Sequence, residues 1–193
     1  MKIAKVTDRM LEAAVVPSFT RIGPLVRRRL FDWTPLDSYD LSGTFVAITG
    51  ATSGLGLAAA QQFVTMGADV VMISRNETKA LEVAATIGTG PGRIHHLTAD
   101  MGDLDQVRAA VGGLREITDR LDVLIHNAGA LINPRRTTDD GSELTVRVQV
   151  VSPYLLTGLL LDPLRRASPG RVLTMSSGGM YTSGLTVDRL EMP

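Results

Sequence analysis

Apolar residues occur in short unbroken blocks along most of the chain, and each block is followed by a stretch with helical spacing. Blocks such as "VVMI" and "VLI" do not alternate with polar residues, which is typical of parallel strands covered on both faces. Alternation of strands and helices predicts βαβ units. We therefore expect an α/β fold, a Rossmann-type doubly wound parallel sheet. Its predicted strands are residues 44–49, 68–74, 93–100, 121–129 and 170–177, and its predicted helices are residues 55–67, 77–88, 103–117 and 142–164.

Punctuating residues predict where three of these helices begin, end or bend. Gly88 follows the second helix and is expected to end it. Asp103 is a plausible N-cap for the third. Pro153 lies inside the long fourth helix, and we expect a bend there because proline removes one backbone donor.

Residues 1–42 differ from the remainder, so we divide the chain into an N-terminal arm and a Rossmann-type domain over residues 43–193. The arm contains Arg27, Arg28, Arg29 and the only tryptophan, Trp33. One interpretation is a basic-aromatic anchor for a membrane surface or a partner subunit. The other is an arm with a short helix that packs on the main domain. Flanking acidic residues favour the second interpretation.

Charge and cysteine usage exclude several functional classes. Twenty basic and twenty acidic residues cancel, so the chain has no net positive charge that would attract nucleic acid. Cysteine is absent, which excludes disulfides, thiolate catalysis and cysteine zinc sites. His95 and His96 are neighbours on a strand, point to opposite faces and form a poor metal pair. We see no secretory signal and expect an intracellular, cytoplasmic protein without a metal site.

A glycine-rich turn follows the first predicted strand directly. Gly50, Gly54 and Gly56 permit a tight turn and a close approach of the backbone to a pyrophosphate. The next helix would direct its free N–H groups and positive dipole end toward the same phosphates. The strand-turn-helix context favours a dinucleotide site, and the absence of Gly-Lys-Ser/Thr argues against a P-loop.

The end of the second strand indicates which dinucleotide is bound. NAD sites usually have an acidic residue here for the ribose 2′-hydroxyl, whereas this chain has Ser74, Arg75 and Asn76. An arginine suits a 2′-phosphate both by its charge and by its paired donors. We expect NADP(H) in preference to NAD(H).

Together these motifs resemble the classical short-chain dehydrogenases/reductases, and most closely their retinol-dehydrogenase-like or actinobacterial-type members. The resemblance rests on TGxxxGxG after the first strand, Asp100 after the third, "HNAG" after the fourth and a serine pair after the fifth. It implies that Asp100 and the Met101 backbone hold the adenine, and that residues 127–129 lie beside the nicotinamide ribose. The candidate cofactor-binding residues are Gly50, Thr52, Ser53, Gly54, Leu55, Gly56, Ser74, Arg75, Asn76, Asp100, Met101, Asn127, Ala128 and Gly129.

The same resemblance implies hydride transfer between a nicotinamide and an alcohol or carbonyl substrate. In this family a serine binds the substrate oxygen, a tyrosine exchanges the proton, and a lysine four residues later lowers the tyrosine pKa. Ser177 occupies the serine position, while Gln149 stands where the family has a relay asparagine. Tyr181 is followed by Leu185 in the lysine position, so no Tyr-x-x-x-Lys motif is present. Tyr154, on the fourth helix, is interpreted as a packing residue.

We therefore expect an enzyme of this family in a C-terminally incomplete form, either a fragment or a natural truncation. Later strands of the sheet would be missing, the fifth strand would be an apolar edge, and homo-oligomers would belong to the full-length form. We expect no turnover from this chain alone. The alternative is a non-catalytic NAD(P)-binding module.

Overall fold

The computed structural model describes residues 2–13, 18, 20, 22–87, 90–130, 132–177, 184 and 186. It divides into two compact units, Met1–Tyr39 and Asp40–Pro193. The elements of the first unit are α1 (Lys2–Ala13), α2 (Ile22–Leu30) and a 3-10 turn (Leu36–Ser38). Those of the second are β1 (Phe45–Thr49), α3 (Gly54–Thr65), β2 (Asp69–Ser74), α4 (Glu77–Ile87), β3 (Ile94–Thr98), α5 (Leu104–Ile117), β4 (Val123–His126), α6 (Leu144–Val146), a π-helical segment (Arg147–Val151), α7 (Ser152–Leu159), α8 (Leu161–Arg166) and β5 (Arg171–Thr174).

In the first unit, an ion pair joins the two helices. Arg27 of α2 donates from Nε to Asp8 of α1 over 2.6 Å and from Nη2 to the Ser18 hydroxyl over 3.0 Å. The arginine cluster therefore leaves only Arg28 and Arg29 exposed. No helix in the described part of the chain is both long and apolar enough to cross a bilayer. A membrane contact through this unit stays a prediction.

The second unit is built on a five-stranded parallel sheet in the order β3-β2-β1-β4-β5. This confirms the Rossmann-type α/β fold. Apolar side chains cover both sheet faces, which is why the strands lack alternation. On one face Val71 and Leu124 pack with α5 and α7, and on the other Val70 and Met72 pack with α3 and α4. All four residues of β5, at the sheet edge, are exposed.

The predicted N-cap of α5 is confirmed, but the long fourth helix is not a single bent helix. The Asp103 carboxylate accepts hydrogen bonds from the backbone N–H groups of Asp105 and Gln106. The fourth helix is instead divided into α6, the π-helical segment, α7 and α8. Pro153, which has no N–H to donate, lies just after the π-helical turn.

Tyr154 is not a packing residue, contrary to the sequence interpretation. Its side chain is 82% exposed on α7. The core side of α7 is occupied by Leu156, which is 1% exposed and packs among the residues of α5 and the sheet.

A buried carboxylate connects the starts of β2 and β3. Asp69 is 6% exposed, and its carboxylate accepts three hydrogen bonds from Arg93. The donors are the Arg93 backbone N over 3.2 Å, its Nε over 2.9 Å and its Nη2 over 2.7 Å. These hydrogen bonds, foremost those of the side chain, hold the pKa of Asp69 below its usual value against the effect of burial.

We expect Asp69→Asn to lower the free energy of unfolding by about 1 kcal/mol at neutral pH, because bonds to a charged acceptor are lost while the exposed guanidinium stays solvated. Since the folded pKa is depressed, this contribution is complete above the unfolded pKa near 4 and disappears as the pH falls through the lower folded value. Urea unfolding at neutral and acid pH measures both effects. Asp162→Asn, in an exposed pair with Arg165 at 4.0 Å, is the control and should change little; equal losses in the two variants would contradict the prediction.

Candidate active site

The strand order places the glycine turn opposite the loop that follows β4, which contains Asn127, Ala128 and Gly129 and is called the "NAG" loop below. Strand order reverses between β1 and β4, which are hydrogen-bonded neighbours although far apart in sequence. Their carboxyl ends therefore meet at the same edge of the sheet. In open α/β sheets this switch point forms the crevice where ligands bind.

The glycines of the turn are required by conformation and by space. Gly50 has φ +69°, and a Cβ atom there would lie 2.9 Å from the Ala128 Cα atom of the facing loop. Gly56 is buried, and its Cβ would lie 2.5 Å from the Gly50 carbonyl oxygen and against the Asn127 amide. Gly54, at φ +55°, has open space where its Cβ would lie. The turn is thus tight on the protein side and open at Gly54.

Two side chains hold the turn and the loop together. The Thr49 hydroxyl oxygen accepts from the backbone N–H groups of Asn127 and Ala128, each over 3.0 Å. The Asn127 amide nitrogen donates back to the carbonyls of Thr49 and Gly50, each over 3.1 Å. Asn127 is therefore a structural link as well as a candidate ribose neighbour. The sequence did not single out Thr49, although its place directly before Gly50 was the available signal.

The N-terminus of α3 fits an anion. Ser53 is its N-cap, but its side chain makes no capping hydrogen bond, and the first backbone bond of the helix is donated by Leu57. The N–H groups of residues 54–56 precede that bond and have no partner within the helix. With the open space at Gly54, they form a cradle in which a pyrophosphate fits. Thr52 is half-buried, and Leu55 is 72% exposed.

At the end of β2, an exposed arginine follows a buried serine. Arg75 is exposed and makes no hydrogen bond or ion pair within the described part of the chain. Ser74 is 7% exposed and its Oγ lies 3.2 Å from the His96 Nε2. Asn76 caps α4, because its side-chain oxygen accepts from the Lys79 N–H over 2.9 Å. Arg75 is thus the available cation at this corner.

The candidate adenine residues follow β3. The Asp100 carboxylate accepts from the Gly102 N–H over 2.7 Å, and its backbone N–H donates to the Gln106 side chain over 3.0 Å. Met101 is 6% exposed, and its carbonyl accepts the Ser152 hydroxyl over 2.5 Å. Both residues are held in place at the same sheet edge as the glycine turn.

The π-helical segment brings Gln149 to the "NAG" loop. The Gln149 amide nitrogen donates to the Ala130 carbonyl over 2.9 Å, and a Cβ at Gly129 would lie 3.6 Å from the Gln149 Oε1. A π-helical turn is frequent at functional sites. The predicted relay residue therefore lies beside the loop of the predicted cofactor site.

Ser177 follows β5 on the same edge of the sheet. Thr174 pairs in register with His126, and the Met175 N–H donates to the His126 carbonyl over 2.9 Å. The chain thus leaves β5 next to the end of β4, with Ser176 and Ser177 immediately after. Tyr181 and Leu185 lie outside the described residues.

His126 is a structural residue. It is 5% exposed, its Nε2 lies 2.7 Å from the Thr157 hydroxyl, and burial lowers its pKa below the usual value. The ring of His126 is therefore held against α7 through its contact with Thr157. Among the described residues, no three acidic, histidine or cysteine side chains are grouped as metal ligands.

The parallel sheet, with a glycine turn at its switch point, defines a Rossmann-type fold, and comparison with known proteins gives the family. The sequence model of the family described as short chain dehydrogenase matches residues 44–185, so the chain belongs to the short chain dehydrogenase family. Mouse retinol dehydrogenase 14 is 38% identical over 149 residues, which are 71% of this chain and 45% of that relative. The chain thus spans less than half of its length, and the relatives support a retinol-dehydrogenase-like member.

Two solved structures extend the comparison. The Pseudomonas aeruginosa RhlG/NADP active-site complex has a TM-score of 0.65 at 25% identity, covering 79% of this chain and 61% of that chain. The L-sorbose reductase of Gluconobacter frateurii, complexed with NADPH and L-sorbose, has a TM-score of 0.63 at 26% identity, covering 70% and 52%. Both neighbours were solved with an NADP-type cofactor.

Proposed function

We propose that this chain is the cofactor-binding part of an NADP(H)-dependent oxidoreductase acting on an alcohol or carbonyl substrate. The observation that carries the proposal is the meeting of three segments at one sheet edge: the glycine turn, the "NAG" loop and the end of β5. The family supports a small-molecule substrate, and the two NADP-bound neighbours support a nicotinamide cofactor.

Each group of residues would hold one part of the dinucleotide. The uncapped N-terminus of α3 would receive the pyrophosphate, and Asp100 with the Met101 backbone would contact the adenine. Arg75 and Ser74 would bind the 2′-phosphate, which favours NADP(H) over NAD(H). Residues 127–129 would lie beside the second ribose. When bound, the nicotinamide supplies or accepts the hydride.

The chain's own contribution to the chemistry is polarisation of the substrate oxygen. Ser177, beyond β5, would donate a hydrogen bond to that oxygen, while Gln149 would hold the "NAG" loop and could order a water. The proton itself needs an acid or base of matched pKa, and the family uses a tyrosine with a lysine for it. No Tyr-x-x-x-Lys is present in these 193 residues, whose only lysines are Lys2, Lys5 and Lys79.

We therefore expect the chain to bind NADPH without measurable oxidation of it in the presence of aldehydes or ketones. Absorbance of NADPH over time, with and without each carbonyl compound, is the measurement. Reductase activity that is lost in Ser177→Ala would contradict the expectation, because it would show a proton donor other than the tyrosine-lysine pair. A catalytically competent member of the family assayed in parallel verifies the substrates.

A non-catalytic NAD(P)-binding module is the second candidate, and the contact of Gln149 favours it. Its amide nitrogen is already engaged with the Ala130 carbonyl. The coding DNA beyond Pro193 distinguishes the two candidates. A continuing frame that encodes Tyr-x-x-x-Lys supports the enzyme, and a stop codon supports the module.

A further inference from the structure

Beside the predicted 2′-phosphate site, a histidine of β3 contacts the last residue of β2. In the register of these strands His96 pairs with Met72, and Thr98 pairs with Ser74. Because side chains alternate along a strand, His96 and Ser74 extend on the same face of the sheet. The His96 Nε2 lies 3.2 Å from the Ser74 Oγ, within hydrogen-bond distance.

The direction of this hydrogen bond determines what Ser74 can offer a ligand. A serine hydroxyl carries one proton, and a neutral imidazole is a donor at one nitrogen and an acceptor at the other. If Nε2 is the acceptor, the Ser74 proton points into the protein and only lone pairs face outward. If Nε2 carries the proton, it donates to Oγ, and the Ser74 hydroxyl can donate outward.

A phosphate and a hydroxyl place different demands on that pair. At neutral pH the 2′-phosphate of NADP(H) can only accept a hydrogen bond from a serine. It therefore requires that the Ser74 hydroxyl donate outward. The 2′-hydroxyl of NAD(H) both donates and accepts, so it is satisfied by either arrangement. His96 can therefore affect the binding of one cofactor and not of the other.

The surroundings keep His96 uncharged, so its tautomer is what matters. Burial lowers the pKa of His96, and this outweighs the opposing effects of the nearby Glu77 carboxylate at the start of α4 and of a hydrogen bond with the Ser74 backbone. At neutral pH the ring therefore carries one proton that can be on either nitrogen.

We propose that His96 is a positioning residue of the NADP(H) site, with its Nε2–H donating to the Ser74 Oγ so that the Ser74 hydroxyl donates to the 2′-phosphate beside Arg75. This inference rests on the proposed cofactor function. It assigns His96 a part in choosing NADP(H) over NAD(H), through Ser74 and without contact with the cofactor itself.

Binding of two small adenine nucleotides tests the proposal without any turnover. We expect His96→Phe, which keeps a ring but leaves the Ser74 hydroxyl free to rotate, to weaken binding of 2′,5′-ADP about threefold, because the donor is no longer held toward the phosphate. Binding of 5′-AMP, which lacks the 2′-phosphate, should be unchanged. His96→Gln, whose amide can donate from a similar position, should restore most of the loss.

Two further variants separate a positioning role from a general structural one. His95→Phe makes the same change one residue earlier. His95 pairs with Val71 and extends on the other face of the sheet, so this variant should leave the ratio of the 2′,5′-ADP and 5′-AMP affinities unchanged. Ser74→Ala, which removes the hydroxyl itself, should weaken binding of 2′,5′-ADP more, by about tenfold as for loss of one hydrogen bond to a charged group, and the double variant should lose no more than Ser74→Ala.

The outcomes distinguish this inference from the proposed function. If the unaltered chain prefers 2′,5′-ADP to 5′-AMP and His96→Phe retains that preference, the role of His96 is overturned while the cofactor proposal stands. Equal weakening of both nucleotides also overturns it, since it would indicate a general disturbance of the sheet. If the unaltered chain shows no preference, the 2′-phosphate site and the role of His96 both fail.

Discussion

Gly56→Ala is expected to abolish the binding of both NADPH and NADH and to lower the free energy of unfolding by about 2–3 kcal/mol. The added Cβ would lie 2.5 Å from the Gly50 carbonyl and against the Asn127 amide, both parts of the link between turn and loop. Because the neighbours are largely backbone, the turn itself must move. Urea unfolding and titration with either cofactor measure the two effects.

Gly112→Ala is the matched control. Gly112 lies in α5 with open space where its Cβ would be, so the same substitution should be neutral or stabilise the helix by roughly 0.5–1 kcal/mol. Cofactor binding should not change there. A Gly56→Ala variant that binds NADPH as the unaltered chain does would show that the glycine turn is not the cofactor site.

Arg75→Asp is expected to weaken NADPH binding by about 100-fold and to leave NADH binding equal or slightly stronger. The variant removes the unpaired exposed cation at the end of β2 and places a carboxylate there. A carboxylate repels the 2′-phosphate, whereas it can accept a hydrogen bond from the 2′-hydroxyl of NADH. Fluorescence titration with each cofactor gives the ratio of affinities.

Arg165→Asp controls for the change in net charge, since Arg165 lies on α8 in an exposed pair with Asp162. It should leave the ratio of the two affinities unaltered. Parallel losses in both variants would attribute the effect to the overall field of the protein. If the Arg75→Asp variant still preferred NADPH to NADH, the 2′-phosphate would have to be bound by another residue.

The sheet could be predicted from sequence because its signals are local. Continuous apolar blocks of three or four residues indicate strands buried on both faces, and helical spacing between them indicates the crossovers. Asp103 as an N-cap and the strand-turn-helix setting of Gly50 to Gly56 are likewise read from neighbouring residues. The candidate site follows from those local features, since parallel strands bring their carboxyl ends to one edge.

Contacts between distant segments were not visible in the sequence. The Thr49–Asn127 link joins residues 78 apart, and the His96–Ser74 contact depends on the register between β2 and β3. The exposure of Tyr154 was also not predicted, and the π-helical segment that precedes its helix is a local irregularity that the sequence pattern did not indicate. Helical periodicity assumes an uninterrupted α-helix.

Titration of the unaltered chain with NADPH and with NADH tests the central claim most directly. The account predicts saturable NADPH binding in the micromolar range, as for an ordinary cofactor site, with NADH binding at least tenfold weaker. Equal affinity for the two cofactors would contradict the role of Arg75 and leave the glycine turn as a general dinucleotide site. Absence of binding by either would contradict the claim that this chain holds a working cofactor site.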